Sequence, residues 1–277
     1  MLMRLYRPLV VAAAVGTVAC GGVRMPSLPS LPPLPGSSPP PSSPARGKMA
    51  PRSGLEVVGA MRRAHPSRAL KSIAFDVATT EHRGRAPRSV LARSVAALPG
   101  RYHVTTLPAT RRSGVVRIEQ RVAVFQGGKR VVSQNRVDIA RLLAYDLFAQ
   151  GIDTTVRWLD IARVRFGVTR RDEFGGRDVW VVGANEGDST SAQFWVDADR
   201  WHVVRVIQRD PVSSSDIVDV RFSAFTDVLD IPVPTRIQLF RNGKLEEEQQ
   251  ISAVAANPPV SSRAFDVSRW RDVKVGN

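Results

Sequence analysis

The feature that most constrains this chain is a series of short apolar segments that alternate with period two and are punctuated by tight-turn signals. In VVRIEQRVAVFQGGKRVVSQ, Val116, Ile118, Val122 and Val124 fall on one face, and Arg117, Glu119 and Arg121 on the other. That is the pattern of a half-buried strand. Gly127-Gly128 then supplies the positive-φ residues of a tight hairpin. Four more hairpin signals follow: Gly175-Gly176, Asn185-Glu186-Gly187-Asp188, Asp197-Ala198-Asp199-Arg200 and Asn242-Gly243. The last is the pair best suited to a type I′ turn. Upstream, LKSIAFDVATT places Ile73, Phe75 and Val77 on one face.

Two stretches break the strand pattern. Ser53 opens SGLEVVGAMRRAHP as a helix N-cap, with Glu56 in the capping-box position, Leu55, Val58 and Met61 on one face, and Pro66 beyond the end. IARLLAYDLFAQG carries Leu142, Leu143, Leu147 and Phe148 on a helical stripe that Gly151 stops, and the following TVRWLDIAR reads equally as helix or strand. Helices this few cannot cover both faces of so many strands. The expected fold is α+β and mainly antiparallel β: an incomplete, strongly curved barrel wrapped around a few helices, with a two-sheet sandwich as the alternative.

The amino terminus reads as an address. Arg4 and Arg7 precede an apolar run of eleven residues, Leu9 to Ala19. That is too short to cross a bilayer core of about 30 Å at 1.5 Å per residue, and it fits a secretory h-region. Val18-Ala19-Cys20-Gly21 resembles a bacterial lipobox, with Thr17 where leucine is usual; an ordinary cleaved signal is the alternative. Acyl chains on Cys20 would anchor the protein. Residues 26–44 then hold nine prolines and six serines, a composition that favours an extended polyproline II tether. The expected organisation is a signal over 1–19, a lipidated Cys20 with a Pro/Ser-rich tether over 20–53, and one folded domain over 54–277. Gly21 in place of Asp points, by analogy with enteric lipoproteins, to the outer membrane. The expected location is the cell envelope, lipid-anchored and facing the periplasm.

Composition narrows the chemistry. Cys20 is the only cysteine, which excludes an internal disulfide and a cysteine-rich zinc site, and the four histidines stand singly. No nucleophile elbow, phosphate loop or dinucleotide fingerprint is present. Asp197 and Asp199 read as turn residues, Glu246-Glu247-Glu248 as a solvated edge strand, and His202 as a packing or surface residue. No catalytic residue, metal site or cofactor is expected, and the chain reads as a non-enzyme. The formal net charge is +15, with six basic residues and no acid in 1–53 and eleven basic against three acidic in 54–112. A GC-rich genome accounts for arginine over lysine but not for acids missing from one end. Arg62, Arg63 and Arg68, with Arg83, Arg85, Arg88 and Arg93, are therefore candidates for a face turned to an anionic membrane surface. Secretion argues against nucleic acid as the partner.

The stretch VWVVGANEGDSTSAQFWVDADRWHVVRV, followed by DIVDVRFSAFTDVLDIPVPTRIQLFRNGK, resembles the LolA/LolB-like lipoprotein carriers, and among them the LolA-like envelope lipoproteins. The shared layout is a strand ending in Val-Val-Gly-Ala, then Gly-Asp, Gln-Phe-Trp-Val-Asp, an arginine-bearing return strand, and a proline-bracketed strand with an Asn-Gly hairpin. It extends in layout over 54–267 and is specific over 177–245. The resemblance implies a half-barrel closed by helices whose apolar cavity shields acyl chains of lipoproteins or lipids. Its candidate lining is Ile73, Phe75, Val77, Ile118, Val122, Val124, Trp180, Trp195, Phe222, Ile237 and Leu239, each of which could equally be plain core. It assigns the family's lid-controlling arginine to no position here. Envelope-stress regulators of the RseB type use this fold to bind another envelope protein, so a sensor or interaction module is the second reading. A periplasmic hydrolase is a third.

Overall fold

The turn signals become the corners of one antiparallel sheet. The computed structural model describes residues 51, 53–210, 213 and 215–273. The expected signal segment, Cys20 and nearly all of the expected tether lie outside them. Thirteen strands form the sheet: β1 (Ser72–Glu81), β2 (Arg88–Ala97), β3 (Arg101–Thr106), β4 (Gly114–Ile118), β5 (Arg121–Gln126), β6 (Lys129–Asn135), β7 (Thr169–Phe174), β8 (Arg177–Val182), β9 (Gln193–Asp197), β10 (Val203–Arg209), β11 (Ile217–Val228), β12 (Ile231–Arg241) and β13 (Lys244–Ala256). The spatial order is β6-β5-β4-β3-β2-β1-β13-β12-β11-β10-β9-β8-β7. Two meanders are thus welded where β1 pairs with β13, and β6 and β7 are the two edges.

Helix α1 (Gly54–Ala64) begins where Ser53 Oγ accepts the amide N–H of Glu56. Its buried side is Val57, Val58 and Met61; Leu55, expected on that side, is exposed, because the buried stripe runs from Gly54 through positions three, four and seven further on. Between the edge strands the chain runs through α2 (Ile139–Arg141), a π-helical turn at Leu142–Asp146, α3 (Leu147–Ala149) and α4 (Ile152–Ile161). The ambiguous TVRWLDIAR is therefore helical. This insertion covers the inner face. Leu142, Leu143, Leu147 and Phe148 share one core with Val57, Val58 and Met61 of α1 and with the inward side chains of β1, β8, β9, β10, β11 and β12. A smaller cluster lies on the outer face, where Ala264, Phe265 and Trp270 of the C-terminal segment pack on Val116, Ala123 and Phe125.

Two strand readings change. VVRIEQRVAV is a hairpin rather than one strand, since Glu119, at φ +53°, reverses the chain and donates its N–H to the carbonyl of Gly100 at 2.7 Å. The turn inverts the parity of everything after it. Opposite residues in the ladder are Val116 with Ala123 and Arg117 with Val122. Val122 and Val124 therefore share the inner face with Arg117, while Val116 and Ile118 point outward. Glu246 to Glu248 likewise do not lie on an edge. They are in β13, between β1 and β12, and Glu247 is fully buried.

Candidate functional site

Of the eleven apolar candidates, Ile73, Phe75, Val77, Trp180, Phe222, Ile237 and Leu239 meet in the single core between sheet and helices. Val122 is buried and Val124 half-buried on the same face. Ile118 packs in the outer cluster with the C-terminal segment. Trp195 also faces outward, with Val179, Val181 and Val204, its indole N–H donating to Gln193 Oε1 at 2.9 Å. The parity of the strands, alternating about the turns, separates these two from the other nine.

The seven arginines are not brought together. Arg62 is buried and donates to the carbonyl of His65, with Arg63 and Arg68 exposed nearby in sequence. Arg83 pairs with Glu246 and Glu247 at 2.9 and 2.6 Å, and Arg93 with Asp76 at 2.7 Å. Arg83, Arg85 and Arg88 belong to the far end of β1 and the start of β2, about 30 Å from the Arg68 end at 3.3 Å per residue. Cys20 lies outside the described residues.

The chemistry that the sequence concealed is a polar seam where the helical insertion leaves β6 and crosses the inner face. Asp138 caps α2, its Oδ1 accepting the N–H of Arg141 at 3.1 Å. Its Oδ2 lies 3.4 Å from Arg117 Nη2 and 3.9 Å from Arg141 Nη2. All three are at least nine-tenths buried. Burial alone would raise the Asp138 carboxyl, but the guanidinium groups of Arg117, Arg141 and Arg136 hold it below the usual carboxylate range. Burial, followed by repulsion from Arg141, brings Arg117 down to about 9. The Arg141 guanidinium lies 3.7 Å over the ring of Tyr102, and the Tyr102 hydroxyl donates to Asp146 Oδ1 at 2.9 Å, beside the Gly100 N–H at 2.8 Å. Burial raises the Asp146 carboxyl in spite of these donors. Tyr145, in the π turn, stacks on Phe75 at 6.3 Å and has no hydrogen-bond partner for its buried hydroxyl.

Gly100, Arg117, Arg136, Asp138, Arg141 and Asp146 line a cavity of about 340 Å³ that opens between the β2–β3 turn, the β4–β5 turn and α4, with Gln150, Thr154, Arg157 and Trp158 at its rim. The helical cover is thus held to the sheet by apolar contact over most of its length and by buried ionic contacts at its start. The cue to Arg117 was present but weak: a lone arginine between Val116 and Ile118 in a strand. Asp138 carried a stronger one, an N-cap residue immediately before a helical stripe. Among the described residues, no group of three or more His, Cys, Asp and Glu side chains is placed to hold a metal ion, and no described helix is long and apolar enough to cross a membrane.

No family model and no curated protein matches the chain by sequence. Solved structures do match. A Vibrio parahaemolyticus domain named for outer membrane lipoprotein sorting superposes with a TM-score of 0.53 at 11% identity, covering 77% of this chain and 96% of that one. A LolA superfamily protein from Nitrosomonas europaea gives 0.50 at 13% identity over 76% and 97%. The chain has a LolA-like fold. A DUF1329 family protein from Desulfovibrio piger, at 0.53 and 12% identity over 77% and 95%, has the same architecture. At these identities the likeness is one of fold, and in it the LolA-like sheet of this chain keeps its inner face covered by α2, α3 and α4.

Proposed function

We propose that the chain is a non-enzymatic, lipid-anchored protein of the cell envelope, facing the periplasm from the outer membrane, that holds acyl chains of a lipoprotein or lipid against the inner face of its half-barrel. The observation that carries this reading is the kind of lid the sheet has. Its inner face is largely apolar over β1 and β8 to β12, with Glu247 and Gln249 of β13 buried on it, and what covers it is a separate helical segment rather than a second sheet. Leu142, Leu143, Leu147 and Phe148 occupy the place a hydrocarbon chain would take. Exchanging one apolar surface for another leaves the hydrophobic term nearly unchanged, while each buried CH₂ of the cargo contributes about 0.8 kcal/mol.

The reading is tested by native mass spectrometry and solvent extraction of the purified full chain. Bound lipid, or saturable binding of a fluorescent fatty acid, is the expected result. An empty chain that also refuses the probe contradicts it. A stoichiometric protein partner recovered from envelope extracts without lipid would instead favour an interaction module built on the same fold.

A further inference from the structure

We infer that the inner face of the half-barrel ends in a seat for an uncharged polyol headgroup, formed by Thr79 of β1 with Gln249 and Glu247 of β13. The inference rests on the acyl-chain reading and adds which end of the cargo lies where. Along β1 the inward positions run Ile73, Phe75 and Val77, all in the core, and then change to Thr79 and Glu81. Across the ladder Ile251 faces Val77, Gln249 faces Thr79, and Glu247 faces Glu81. The apolar track therefore gives way to polar side chains at the same level on two paired strands, with Ile237 and Leu239 of β12 alongside. Successive inward positions on a strand are about 7 Å apart and opposite residues about 5 Å, a span that one small headgroup covers.

Thr79 and Gln249 are each 2% exposed and Glu247 is fully buried, yet Thr79 Oγ1, Gln249 Oε1 and Glu247 Oε2 have no hydrogen-bond partner. Buried polar atoms in folded proteins are nearly always paired, so three unpaired ones side by side point to a ligand that supplies the bonds. Glu247 Oε1 already accepts Arg83 Nη2 at 2.6 Å, which leaves the second oxygen for that ligand. The donor and acceptor roles of the three groups select its chemistry. The Gln249 oxygen accepts, and the Thr79 hydroxyl both donates and accepts. Burial, with Glu81 and Glu246 nearby, pushes the Glu247 carboxyl up to about 7, so it accepts when ionised and donates when protonated. A hydroxyl suits all three in either state. A carboxylate only accepts, and it would meet Glu81, Glu246 and Glu247. An ammonium only donates, and Arg83 already opposes Glu247, with Arg88 paired opposite Glu81 in the ladder.

The test is titration calorimetry of the full chain with five compounds that share a ten-carbon chain: 1-decanoylglycerol, decyl glucoside, methyl decanoate, decanoate and decylamine. The two polyol compounds should bind about tenfold tighter than methyl decanoate, which has no hydroxyl. Thr79→Val and Gln249→Leu should each cut that ratio to about threefold, and Thr79→Ser, which keeps the hydroxyl, should preserve it. Because the readout is a ratio within each variant, a partial loss of folded protein does not imitate the effect. A tighter decyl glucoside identifies the headgroup as a sugar and a tighter 1-decanoylglycerol as glycerol; both results support the seat. Equal binding of polyol and ester, tightest binding of decanoate or decylamine, or a ratio indifferent to Thr79→Val and Gln249→Leu overturns the seat and leaves the acyl-chain reading standing. No binding of any of the five overturns both.

Discussion

Glu247 has no exposed surface, yet it is ionisable and has one close cationic partner, Arg83 at 2.6 Å, with its second carboxylate oxygen unpaired. Burial pushes its pKa up from 4.5 to about 7, against the pull of Arg83. Between those two values the unfolded chain has lost the proton and the native chain retains it, so stability falls as pH rises through this window. Glu247→Gln removes that slope. Relative to wild type, the variant should gain on the order of 2–3 kcal/mol between pH 4.5 and pH 8, read from urea midpoints at the two pH values. An unchanging difference would show that Glu247 stays ionised in the fold. The residue was misread from sequence for a physical reason. Three consecutive glutamates look like a solvated edge, and what buries the middle one is the pairing of β13 with β1, some 170 residues away in the chain. No local signal carries that. The β4–β5 turn was hidden for a similar reason: Glu119 takes a positive φ without being Gly, Asn or Asp, held by the long-range bond to Gly100.

At the scale of elements, the helical cover was the most legible part. Its stripe is local, and Leu142, Leu143, Leu147 and Phe148 are buried as their spacing requires. That the cover leaves one sheet edge and arrives at the other was not legible, because strand order is set by β1–β13 pairing. Its anchor is Asp138, which caps α2 and opposes Arg117 and Arg141. Asp138→Ala removes a cap worth about 1 kcal/mol and leaves buried guanidinium groups unopposed, a change that costs about 3–5 kcal/mol in comparable pairs. Hydrogen exchange should accelerate over residues 139–149 well before β1 or β12. Uniform acceleration across the sheet would mean that the seam holds the whole fold rather than its cover.

For the whole molecule, the turn signals and alternating strands foretold a curved antiparallel sheet with helices inside, and the LolA-like architecture agrees. The apolar candidates divide between the two faces of the sheet. Seven of them meet in one core, while Ile118 and Trp195 face outward because sequence alternation gives parity but not which side is the inside. The membrane attachment we propose rests on Cys20, which lies outside the described residues. Metabolic labelling with a fatty-acid analogue should mark the wild type and not Cys20→Ser; equal labelling of both would remove the anchor from the account.

The central claim is that acyl chains lie between the sheet and its helical cover. A fatty acid bearing a photoreactive group near its methyl end, bound to the full chain and irradiated, tests this directly once the labelled peptides are mapped. Labels should fall on the inner-face strands that carry Phe75, Phe222 and Ile237 and on the cover at residues 139–161. Labels confined to the outer face, around Trp195 or the C-terminal segment, would contradict the claim.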